Sequence, residues 1–101
     1  MPSVTFRFVN GTHEDLQLLN SNPSVGWGPQ PQDPLPAHRI PRDAVFNATD
    51  QNITISYGPA AAPHNMAYLA GAGGPTVHTT PNTLYTLHQV GADYVVTLTY
   101  N

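Results

Sequence analysis

LYTLHQVGADYVVTLTY, residues 84–100, carries the clearest structural signal in the chain. β-Branched and aromatic residues fill both halves and Gly91-Ala92 interrupts them, so residues 84–90 and Asp93–Tyr100 read as a hairpin. In the second half Tyr94, Val96, Leu98 and Tyr100 fall on one face of a period-two strand, with Val95, Thr97 and Thr99 on the other. One buried face and one half-wetted face is the mark of an antiparallel layer packed on a core.

The same alternation recurs outward from this hairpin. Val4, Phe6 and Phe8 alternate with Thr5 and Arg7, Asn10-Gly11 supplies turn chemistry, and Leu16-Gln17-Leu18 begins a return strand after a loop over residues 12–15. Residues 12–19 also admit one helical turn capped by Thr12, which Asn20-Ser21-Asn22-Pro23 would end at once; strand is the preferred reading. Ile53–Tyr57 alternates cleanly up to Gly58-Pro59, and Met66-Ala67-Tyr68-Leu69 is a shorter strand closed by Gly71-Ala72-Gly73-Gly74-Pro75. Six to eight short strands with Gly, Pro and Asn between them predict an all-β fold, a single antiparallel β-sandwich or small barrel spanning residues 1–101. Phe6, Phe8, Tyr57 and Tyr100 are its expected core aromatics. Residues 20–41 break the pattern with six prolines and two glycines, and form a long loop.

Composition narrows the function. The 101 residues include three arginines, no lysine and six acids, a net charge of −3 with only 9% charged, so no basic footprint exists for nucleic acid or an anionic membrane. Neutral sugars and zwitterionic head groups remain suitable partners. With no cysteine, disulfides and thiolate metal sites are excluded. The opening residues lack a secretory signal and no stretch reaches transmembrane length, so the expected location is cytoplasmic or released without a visible signal peptide.

Catalytic signals are weak. His13, His38, His64, His78 and His88 show no metal-ligand spacing, and no serine lies in a nucleophile-elbow context; neither a metal, a cofactor nor an enzymatic activity is expected. Glu14, Asp15, Asp33, Asp43, Asp50 and Asp93 read as solvated turn residues, since no two are placed across a cleft by spacing. The glycine run at 71–75 lacks the lysine of a phosphate loop and reads as a turn or hairpin tip. Asn10, Asn47 and Asn52 begin Asn-x-Thr acceptor patterns, a frequency that chance explains in a chain rich in both residues.

The sole tryptophan, Trp27, lies between Gly26 and Gly28 inside the proline-rich loop. Two readings fit it. As a sugar platform its ring would pack on C–H groups while Asn22, Gln30, Gln32 and Asp33 nearby met the hydroxyls, with Tyr68 as a further aromatic contact. As a lid it would fold back over the core.

The opening Val4-Thr5-Phe6-Arg7-Phe8-Val9-Asn10-Gly11-Thr12, with Leu16, Leu18 and then Gly26-Trp27-Gly28, resembles the small cysteine-poor β-sandwich proteins of fungal fruiting bodies, in particular the aegerolysins. That resemblance implies recognition of neutral cell-surface lipid or glycan, in some members with pore formation beside a partner protein. The leading expectation is a lectin-like module, acting in defence, that binds neutral carbohydrate or glycolipid. The alternatives are an aegerolysin-like lipid binder and a self-assembling structural protein. Homo-oligomers are expected under each, because a strand-rich surface without lysine leaves sheet edges unguarded.

Overall fold

Period-two strands bury one face only when a second layer covers it, and the computed structural model shows that layer. It describes residues 2–37 and 40–101; Met1, His38 and Arg39 lie outside the described residues. Among the described residues there are eight strands in two sheets and no helix: β1 (Val4–Asn10), β2 (Leu18–Asn22), β3 (Arg42–Phe46), β4 (Ile53–Tyr57), β5 (His64–Leu69), β6 (Thr76–Thr79), β7 (Thr83–Val90) and β8 (Asp93–Tyr100). One sheet has the order β3-β1-β8-β7 and the other β2-β4-β5-β6; neither closes into a barrel. The alternating side chains of both sheets meet in one sandwich-like core, which includes Phe6, Phe8, Val96, Leu98 and Tyr100 from the first and Ile53, Ile55, Tyr57 and Tyr68 from the second.

Two expectations are corrected. The sheets are not wholly antiparallel, because β1 runs parallel to β8 along its full length, from Val4 beside Tyr94 to Asn10 beside Tyr100. Nor do β1 and β2 form a hairpin; they lie in different sheets. The reason is Asn10. Its side chain is fully buried, donates to the Glu14 and Leu35 carbonyls at 2.8 and 3.0 Å, and accepts from the Thr12 amide and hydroxyl, which turns the chain out of one sheet towards the other. Residues 12–17 are therefore neither helix nor return strand. β2 instead runs through Asn20-Ser21-Asn22, where pairing with β4 overrides poor strand propensity.

The core is organised along an aromatic chain. Phe6 contacts Trp27 and Tyr68 at ring separations of 5.8 and 5.9 Å, and two residues on, Phe8 contacts Tyr57 and Tyr100 at 5.3 and 6.2 Å. Polar tips of these rings tie down loops: Tyr57 donates to the Gln32 carbonyl at 2.6 Å and Tyr68 to that of Thr49 at 3.1 Å.

The proline-rich segment between β2 and β3 belongs to this architecture. Gly28 N–H donates to Val45 C=O at 2.8 Å, Val45 N–H to Pro29 C=O at 2.9 Å and Asn47 N–H to Gly26 C=O at 3.2 Å, so residues 26–29 lie along the outer edge of β3. Further on, Leu35 and Leu16 exchange backbone hydrogen bonds at 2.7 and 2.9 Å, and the Asp33 carboxylate accepts from Leu18 N–H, which ties the segment to the start of β2. The segment thus straps the β3 edge of one sheet to the β2 side of the other. Gly26 adopts φ +96°, and a Cβ there would sit 3.0 Å from the Phe46 ring, so glycine is required where the strap turns in.

Trp27 fastens that strap. It is half-buried, meets Phe46 edge-on at 5.0 Å, and donates its Nε1–H to the Pro23 carbonyl at 2.7 Å. Trp27→Ala is expected to lower stability by about 2–4 kcal/mol, read from urea unfolding, and the indole emission of the folded protein should be shielded from quenchers. An unchanged midpoint together with fully accessible emission would contradict this packing.

Candidate functional site

Strand direction gathers several loops at one end of the molecule. The end of β3 (Phe46), the start of β4 (Ile53), the end of β5 (Leu69), the start of β6 (Thr76) and the start of β8 (Asp93) all lie there, by the registers that pair Val4 with Phe46 and Tyr94, and Ile53 with Tyr68. Between the β3–β4 and β5–β6 loops opens a cleft of about 420 Å³, lined by Thr49, Asp50, Gly71, Ala72, Gly74 and Tyr94 among others. A smaller hollow of about 250 Å³, lined by Pro2, Asn47 and Ala48, shares Thr49 and Asp50 with it.

Each wall has a local cause. Residues 71–74 form a tight turn, with Gly74 N–H donating to Gly71 C=O at 3.0 Å and Gly74 at φ +110°. Ala70 N–H is held by the Asn52 side chain at 3.0 Å, which fixes this turn against the facing loop. The facing loop is fixed in turn by Tyr68 through the Thr49 carbonyl, and by Asn47, whose amide side chain donates to Gly26 C=O at 3.2 Å. The strap carrying Trp27 therefore supports one wall of the cleft from behind.

The carboxylates divide sharply by what they hold. Asp15, Asp33 and Asp93 each accept a backbone N–H, from Ala37, Leu18 and Ser3, and Asp43 takes a two-pronged ion pair from Arg7 at 2.9 and 3.1 Å. That pairing raises the Arg7 pKa, through the hydrogen bond first and charge second. Among the described residues the side chains of Asp50 and Glu14 carry no such tie. Glu14 lies at the opposite end, beside His13 and His64, in a hollow lined by no Phe, Tyr or Trp. Asp50 lies in the cleft beside Tyr94, and Ala72 and Gly73 show no acceptor for their amides among the described residues.

The residues expected around Trp27 do not share this arrangement. Asn22 is exposed at the end of β2, and Gln30 and Gln32 are exposed on the strap. Asp33 is engaged with Leu18, and none of these lines the cleft. Tyr68 is fully buried and offers no surface to a ligand. Of the histidines, His38 lies outside the described residues, and no three His, Asp or Glu among the described residues cluster as metal ligands. No described helix is long and apolar enough to cross a membrane. Of the three Asn-x-Thr positions, Asn10 is fully buried, while Asn47 and Asn52 are exposed. No model of a known protein family matches the chain, and no curated protein matches it in sequence.

The opposite end holds the one buried histidine among the described residues. His64 is 3% exposed, stacks on Tyr100 at 4.7 Å, and places Nδ1 3.1 Å from the Asn82 carbonyl, so Nδ1 carries the proton and donates. Burial lowers its pKa from the ordinary 6.5, opposed by that hydrogen bond. The folded protein thus favours neutral imidazole. Stability from this group is complete above the unfolded-state value and is lost as pH falls from 6.5 towards the depressed folded value, where the unfolded chain binds more protons. The urea midpoint should be lower at pH 5 than at pH 7.5, and His64→Gln should flatten the difference. An equal pH slope in both proteins would contradict the assignment.

Proposed function

We propose that the protein is a carbohydrate-binding, lectin-like module that takes a neutral sugar in the Asp50–Tyr94 cleft. The observation that carries this reading is Asp50, a carboxylate with no hydrogen-bond or ion-pair partner among the described residues, set in a concavity beside an aromatic side chain and a glycine turn. A carboxylate accepts bonds from two vicinal hydroxyls at once, free amides of the 71–74 turn donate to ring or hydroxyl oxygens, and the Tyr94 ring packs on the C–H face of the sugar. Thr49 and Asp50 also border the adjoining hollow, so the reading extends to a glycan longer than one ring. Binding without hydrolysis is favoured because Asp50 is the only carboxylate lining either hollow, whereas glycoside cleavage uses a pair. Trp27 acts here from behind, as a support for the Asn47–Asp50 wall.

A glycan array followed by calorimetry tests this. Wild-type protein should bind one neutral glycan class with little change between low and physiological salt, since few charges take part. Asp50→Ala and Ala72→Phe should abolish binding and leave the thermal midpoint within about 2 °C, because surface changes away from internal contacts are nearly neutral. Binding to sugar-free neutral vesicles, with none to any glycan, would contradict the proposal and favour the lipid recognition that the aegerolysin resemblance implies.

A further inference from the structure

Sheet edges are the places where a β protein must prevent or accept further pairing. The outer edge of β3 is occupied by residues 26–29, Leu18 at the start of β2 donates to Asp33, and Leu16, just before β2, is bonded to Leu35. β6 has only four residues, flanked by Pro75 and Pro81. β7 is the longest of the edge strands: it has eight residues and pairs with β8 on one side, and like β2 and β6 it contains no proline, lysine or charged residue.

Its free groups can be assigned. Asn101 N–H donates to Asn82 C=O, while Thr83 N–H turns away from β8 to Thr80 C=O. Antiparallel ladders alternate, so Leu84, Thr86, His88 and Val90 bond to β8, and Tyr85, Leu87 and Gln89 direct their peptide groups outward. These outward groups have no backbone partner among the described residues. Several side chains along the strand are also exposed: Leu84 is 60% exposed and Val90 54% on the outer face, and Tyr85 45% on the inner face.

We propose that β7 is a dimerisation strand, and that its occupant is β7 of a second copy of this chain, paired antiparallel about a two-fold axis through Leu87. The reason for choosing a second copy is the self-complementarity of that register. Leu87 faces Leu87 of the other copy, Tyr85 faces Gln89 and Gln89 faces Tyr85, so each outward N–H meets an outward C=O. On the outer face Leu84 meets Val90 and Val90 meets Leu84, which covers both of the most exposed apolar side chains of the strand. Thr86 meets His88, and no like charges oppose each other at neutral pH. The interface is isologous and closed, and it joins the two β7-bearing sheets into one continuous sheet.

Sedimentation equilibrium on the full chain tests this. The wild type should sediment at twice the chain mass at high micromolar concentration; a monomer there overturns the proposal. Gln89→Pro removes an outward donor in each copy without touching the β8 ladder, and should weaken association about tenfold or more. Leu84→Lys, on an exposed side chain, should weaken it as well, and adding Val90→Glu to Leu84→Lys should restore it, because the register places the new charges opposite each other across the axis. Each variant is checked by far-ultraviolet circular dichroism, and if Gln89→Pro does not fold, the Leu84 and Val90 pair decides. A dimer unaffected by Leu84→Lys, or a double variant no tighter than the single one, overturns the register and the strand assignment.

Discussion

The bonds between residues 26–29 and the outer edge of β3 determine how the rest of this chain can be arranged. A sheet edge offers a row of unmet amide and carbonyl groups, and this sequence has no lysine with which to guard one. It covers the edge with its own chain instead. Pro29, Pro31, Pro34 and Pro36 carry no amide hydrogen, so the covering segment presents few donors to any further strand. Trp27 and Gly26 make the cover adhere, the ring by packing on Phe46 and Phe6, the glycine by admitting the close approach. The placing of the one tryptophan in a run of prolines follows from this need: a segment that cannot form a strand of its own requires a large apolar anchor to stay in place.

From the covered edge the influence passes to the candidate site. Asn47 bonds back to Gly26, Thr49 is held by Tyr68 from within the core, and Asp50 follows on the surface, exposed and without a partner among the described residues. Rigid support behind a solvent-facing polar group suits ligand binding, because little conformational freedom is then lost when a ligand arrives. The same logic of covered and uncovered edges separates β3 from β7. One is sealed by a strap, and the other, eight residues long, has no backbone partner for its outward groups at Tyr85, Leu87 and Gln89 among the described residues.

Much of the fold was legible from periodicity. Asp93–Tyr100, Ile53–Tyr57 and the turn at Gly91-Ala92 are local features, and their inward residues are the buried ones apart from Tyr94, which is half-buried. The parallel pairing of β1 with β8 joins the two ends of the chain and leaves no local trace. Arg42–Phe46 is too charged, and Thr76–Thr79 too short, to stand out as strands. Asn10-Gly11 has the composition of a hairpin turn, yet the buried Asn10 side chain organises a crossover instead. At the candidate site, Asp50, the glycine turn and Tyr94 come from three separate loops and strands, so each looked ordinary in isolation, as turn acid, hairpin tip and inward strand residue. Trp27 could be identified as exceptional from sequence, but whether it faced ligand or core depended on Phe46, a residue in a strand that periodicity did not reveal.

Amide hydrogen exchange followed by nuclear magnetic resonance addresses the strap most directly, because its bonds are individually observable. If the segment is an integral part of the sheet system, the amides of Leu16, Gly28, Leu35, Val45 and Asn47 should exchange with opening free energies close to those of the β8 amides, through shared, cooperative unfolding. Exchange of these amides at the rate of an unstructured chain, while β8 remained protected, would show that the proline-rich segment merely rests on the surface and that the edge of β3 is open.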